Sequence, residues 1–153
     1  MKRILSAAGA LLIVLAAVAP GASAATIGGY AGSPNGGSSK ASCFSDGGWN
    51  TVTNNGSCGD TAGSWEVPLY TNAQGAWNVS VTTPGCAEPV TCSAYAVTSA
   101  GSYVFPTASS SIPANTPGSV KLAGTVNVPD LGYLFAACWL PAGCKLASVN
   151  WAQ

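Results

Sequence analysis

The 153-residue chain contains no histidine. That absence removes Ser-His-Asp and Cys-His catalysis and the usual catalytic zinc sites, all of which need an imidazole. Charge is scarce as well, at 7% of residues, so no basic patch can form to neutralise phosphates or to hold anionic lipid, and nucleic-acid binding is not expected. The motifs Gly-x-x-x-x-Gly-Lys, Gly-x-Ser-x-Gly, Ser-x-x-Lys and Cys-x-x-Cys are missing too. Long apolar runs are almost absent. The one from Ile4 to Val18 is about 15 residues, short of the roughly 20 that span a bilayer, so no membrane insertion is expected.

What that run does fit is a leader. Lys2 and Arg3, the apolar stretch and then Ala22-Ser23-Ala24 have the order of a secretory signal over residues 1–24, which places the mature start at Ala25 and the protein in the periplasm or outside the cell. In an oxidising compartment Cys43, Cys58, Cys86, Cys92, Cys138 and Cys144 read as disulfide partners before they read as metal ligands or nucleophiles. Without the leader, Lys40, Lys121 and Lys145 stand against Asp46, Asp60, Glu66, Glu88 and Asp130, a net charge of −2. The expected partners are therefore a neutral glycan or cell-envelope component, or another protein, met through aromatic and amide surfaces.

Residues 25–42 are dense in Gly and Ser without periodicity and read as a flexible arm or an edge segment. Residues 43–153 break into short strand-like runs between turn signals: 64–70, 77–82, 90–98, 103–105, 119–128, 133–140 and 145–151. Asn72-Ala73-Gln74-Gly75, Pro129-Asp130-Leu131-Gly132 and Pro141-Ala142-Gly143 carry turn chemistry and are expected to join antiparallel neighbours. Trp77, Val79 and Val81 alternate with Asn78, Ser80 and Thr82, one face apolar and one wet, whereas Tyr133 to Leu140 is nearly continuous in apolar residues, as a strand covered on both faces would be. The fold class expected is all-β: a single-domain antiparallel two-sheet sandwich stabilised by disulfides.

The segments Cys86 to Cys92 and Cys138 to Cys144 each enclose five residues with Pro third among them. Local pairing would lock two small loops. Nested pairing, Cys92 with Cys138 and Cys86 with Cys144, would rivet two antiparallel strands and is the arrangement favoured among fifteen, leaving Cys43 with Cys58. The end of the chain, with Gly132-Tyr133, Cys138-x-Leu140-Pro141-x-Gly143 and Leu146-x-Ser148-Val149-x-Trp151, together with the Cys92-x-x-Tyr95 strand, resembles a loose set of small, largely uncharacterised secreted bacterial β-sandwich proteins. The resemblance implies fold and compartment only. It supplies no catalytic residue, and Cys86 and Cys144 depart from the commoner pattern of that set.

Chemistry is left to carboxylates and aromatics. Glu66 and Glu88 are the pair a two-carboxylate glycoside hydrolase would need, yet Glu66 falls on the solvent face of its strand, and Asp46, Asn50 and Asp60, as hard oxygen ligands for calcium, equally suit turns. No catalytic residue, metal site or cofactor is assigned, and the protein is not expected to be an enzyme. Trp77, Trp139 and Trp151 sit in apolar runs and are expected in the core. Trp49, after Asp46-Gly47-Gly48, is the expected exposed ligand-binding residue with Asn50 beside it. The function expected is a carbohydrate- or envelope-binding module, the alternative an inhibitor presenting the Cys86 to Cys92 loop.

Overall fold

A computed structural model describes residues 24–35 and 37–153; the expected leader, Ala24 apart, and the side chain of Asp60 lie outside what is described. The strands are β1 (Ala24–Gly28), β2 (Ser33–Pro34), β3 (Phe44–Asp46), β4 (Val52–Asn54), β5 (Ser64–Leu69), β6 (Gly75–Thr83), β7 (Val90–Val97), β8 (Tyr103–Ile112), β9 (Gly118–Lys121), β10 (Val126–Val128), β11 (Tyr133–Trp139), β12 (Lys145–Leu146) and β13 (Ser148–Ala152). Among the described residues the helical segments are 3-10 in type, the longest being Gly37–Cys43. One five-stranded sheet runs β1-β13-β6, with β10 and β9 sharing the far edge of β6; a second runs β2-β5-β11-β7-β8; a small third is β12-β4-β3. Every pairing is antiparallel.

Period-two alternation decides which side of each sheet is core. Trp77, Val79, Val81, Val149 and Trp151 of the first sheet and Val67, Leu69, Ala94, Leu134 and Ala136 of the second are buried in a single cluster. Each large side chain withdrawn from water in this way contributes about 1.5–3 kcal/mol before conformational entropy is subtracted. The buried indoles are satisfied: Trp65 donates to Gly29 O at 2.7 Å, Trp77 to Ala73 O at 3.3 Å and Trp151 to Tyr70 O at 3.0 Å. The buried amide of Asn54 donates to Leu140 O at 2.7 Å and its Oδ1 accepts from Gly56 N at 3.0 Å, tying β4 to the end of β11.

The disulfides take the nested arrangement. Cys92 and Cys138 are directly opposite on β7 and β11, with Cα atoms 4.1 Å apart, and both face the core. Cys86–Cys144 joins the segments just beyond, and Cys43–Cys58 closes the hairpin β3–β4 and the loop after it.

Of the two forms expected for the Gly/Ser-rich stretch 25–42, the edge segment is the one seen: it is built into the sheets as two edge strands, β1 on β13 and β2 on β5. Its glycines serve close approach: a Cβ on Gly29 would lie 2.1 Å from Leu146 O, and one on Gly32 2.1 Å from Glu66 O. The three turns exist where expected, with Gly132 N donating to Pro129 O and Cys144 N to Pro141 O, but none joins paired neighbours. β5 and β6 lie in different sheets, as do β10 and β11, and β12 pairs with β4. Turn chemistry is local, whereas the choice of partner strand is set by long-range burial. Finally, 119–128 and 145–151 are each broken into two short strands, at Leu122, whose N–H reaches Val79 O, and at Ala147, whose N–H reaches Thr82 O.

Candidate functional site

The two sheets differ on their outer faces. The first carries Thr26, Asn78, Ser80 and Asn150, with Thr26 Oγ1 donating to Asn150 Oδ1 at 2.6 Å, a surface that water satisfies. The second carries rings. Because β11 alternates, Leu134, Ala136 and Cys138 go inward and Tyr133, Phe135, Ala137 and Trp139 outward, so the strand is covered on one face only. Trp139, expected in the core, is 45% exposed for this reason. Continuous apolar character was the misleading signal: the inward set is aliphatic and small, the outward set mostly aromatic.

Register arranges the outer face in rows. Ser33, Glu66, Ala137, Ser93 and Ser109 lie side by side across β2, β5, β11, β7 and β8. The adjacent row is Pro68, Phe135 and Tyr95. Phe135 and Tyr95 stack at 5.2 Å with a 25° interplanar angle, and Tyr103 meets Tyr95 edge-on at 5.8 Å and Phe135 at 6.2 Å. An irregularity in the β7–β8 pairing between Ala94 and Ala96 lies at Tyr95, the centre of this cluster. Phe105, on β8, is 77% exposed. The short side chains of Ala137 and Ser93 lie beside the taller rings, and two open depressions result, of about 320 and 310 Å³, both lined by Glu66, Tyr103 and Phe135. Sharing these three walls, they adjoin on the same face of the sheet, and the pair is called the trough below. An uncovered aromatic patch of this kind marks an interaction surface more often than an incidental one.

Among the described residues, Glu66 is the only charged one lining either depression. Asn35 Nδ2 donates to its Oε1 at 2.7 Å, which fixes the carboxylate at the rim beside β2. Glu88 lines a different depression with Trp139 and Pro141, so the structure does not bring the two glutamates into one cleft.

Trp49 and Asn50 form a second, separate feature. They are the central residues of the turn joining β3 to β4, where Thr51 N donates to Gly48 O at 3.0 Å and Tyr30 N to Asn50 O at 2.9 Å. Both have positive φ, 53° and 62°, the signature of a type I′ turn. Asparagine tolerates this region and tryptophan does not. Trp49 is also 100% exposed, so nothing in the fold compensates for that conformation. Asp46, on the same hairpin, accepts from Gly48 N at 2.7 Å in an ordinary turn bond, and no cluster of three or more metal-binding side chains occurs among the described residues.

Of the residues on this face, sequence reasoning had marked Glu66 as solvent-facing and had not singled out Phe135, Phe105 and Tyr133; Trp49 and Asn50 lie elsewhere, on the β3–β4 turn. The signal available for β11 was the period-two set Tyr133, Phe135, Ala137 and Trp139, aromatic at three of its four positions. Neither the family models, nor the curated proteins, nor the solved structures contain a match to this chain.

Proposed function

We propose that the protein is an exported, non-enzymatic binding module that holds a saccharide chain of the cell envelope or its surroundings across the outer face of the second sheet. The observation that carries the reading is the trough in which stacked Tyr95 and Phe135 lie beside a fixed carboxylate–amide pair, Glu66 and Asn35. A sugar ring has an apolar C–H face and a polar rim. The first packs on an aromatic face, whose quadrupole is negative, and the second needs a few well-placed donors and acceptors. Three disulfides suit an oxidising compartment, and no helix among the described residues is long and apolar enough to cross a membrane. Trp49 serves as a second contact on its own hairpin: residues kept in disfavoured backbone regions concentrate where they act on something outside the fold.

The test is retention of mature, oxidised protein on insoluble polysaccharides and purified cell envelopes. Saturable retention that falls about ten-fold in Phe135→Ala and Tyr103→Ala is expected, since each change removes a stacking surface of roughly 1.4 kcal/mol. Retention that is equal in all three proteins, or capture of a single protein with no glycan dependence, overturns it. The latter result favours the inhibitor.

A further inference from the structure

We infer that the trough takes an amino sugar, a saccharide that brings a primary ammonium to Glu66 while its rings lie on Tyr95, Tyr103 and Phe135; this rests on the saccharide reading above. A neutral chain laid over Glu66 would strip water from a carboxylate and return only hydroxyl bonds. An ammonium returns a charge pair as well. Glu66 is prepared for that role. Its Oε1 is held by Asn35, and among the described residues no donor is bonded to its Oε2. Among the described residues, no cation competes for it either. Lys40 donates to Thr61 O, Lys145 donates to Gly47 O, and Lys121 lies on β9 in the other sheet.

The rings point the same way. Glu66 is opposite Ala137, and Phe135 is the diagonal neighbour two residues along β11, within reach across the sheet. Aromatic faces attract cations, so an ammonium near Glu66 interacts with the carboxylate and with the adjoining ring faces together. Among the described residues the site thus combines one anionic group, aromatic walls and no basic residue, which is charge complementarity for a cationic ring and not for an anionic one.

The experiment uses mature, oxidised protein in calorimetric titrations with glucosamine and N-acetylglucosamine oligomers of equal length, repeated between ionic strengths of about 0.01 and 1 M. The glucosamine oligomer is expected to bind about ten-fold more tightly at low salt, with the preference shrinking as salt rises. Glu66→Gln keeps the side-chain shape and should erase the preference, bringing the two oligomers within about two-fold of each other at every ionic strength. Equal binding of the two sugars, or a preference that survives Glu66→Gln, overturns the amino-sugar inference and leaves the saccharide reading standing. Oligolysine binding as tightly as the glucosamine oligomer, unaffected by Phe135→Ala, overturns it too, since charge alone would then suffice. Failure of both sugars to bind overturns the saccharide reading itself.

Discussion

Replacing Trp49 by asparagine should make the protein more stable, although it deletes the largest side chain of the β3–β4 turn. An L-residue in the left-handed region costs about 1–2 kcal/mol, and asparagine is among the few that enter it routinely. Trp49 has φ 53° and is fully exposed, so its removal forfeits no burial that would offset the relief. The hydrogen bonds that define the turn, Thr51 N to Gly48 O and Thr51 Oγ1 to Gly48 O, involve no atom of the indole. A gain of about 0.5–1 kcal/mol is therefore expected for Trp49→Asn, because part of the penalty persists for any residue with a Cβ. Alanine, which is no happier there than tryptophan, provides the control and should leave stability within about 0.5 kcal/mol. Urea denaturation of the oxidised protein reads both changes as midpoint shifts at constant m. Loss of stability in Trp49→Asn, or a loss above about 1 kcal/mol in Trp49→Ala, would mean that the indole packs on the fold and would refute the reasoning.

Other consequences concern the core and the staples. Asn54→Ala leaves the buried Leu140 O without its side-chain partner, while Gly56 N, which is exposed, can turn to water, and should cost about 1–3 kcal/mol in the same denaturation assay. Removing the Cys92–Cys138 bridge by paired alanine substitution, with Cys86–Cys144 intact, should cost about 3 kcal/mol, because the outer bridge already confines the ends and only a ring of about 14 residues is opened. Removing both bridges should cost about 7 kcal/mol, more than twice the single loss, and additive losses would speak against nesting. Gly32→Ala pushes a methyl group into Glu66 O and should cost about 1–3 kcal/mol, with faster amide exchange in β2 and the facing part of β5 as the local readout.

Much of the architecture was legible because it follows from local rules. Trp77, Val79 and Val81 against Asn78, Ser80 and Thr82 define a half-buried strand by period alone, and the two Cys-x5-Cys segments suggested nested bridges once they were placed on neighbouring strands. What stayed hidden was non-local. Asn72 to Gly75 is a turn on any reading, but that it carries the chain from one sheet to the other depends on β11 taking the place beside β5. Glycine density in 25–42 left a flexible arm and an edge segment both open; the edge segment is settled by Gly29 and Gly32, where backbone from β12 and β5 comes too close for a side chain. The trough was half legible: Glu66 was visible as outward, but Phe135 meets Tyr95 and Glu66 only through the register Phe135 to Tyr95 and Ala137 to Glu66, which no single strand contains. Exposure of Trp49 was readable from Asp46-Gly47-Gly48, its backbone conformation was not.

The account depends most on the outer face of the second sheet being the surface that meets ligand. Amide chemical-shift mapping of the labelled, oxidised protein during titration with a glucosamine oligomer tests this directly. Saturable shifts at Glu66, Ser93, Tyr95, Tyr103, Phe135 and Ala137, with or without movement at Trp49, are the predicted result; shifts confined to the Trp49 hairpin or to Asn78, Ser80 and Asn150 on the opposite face would contradict it.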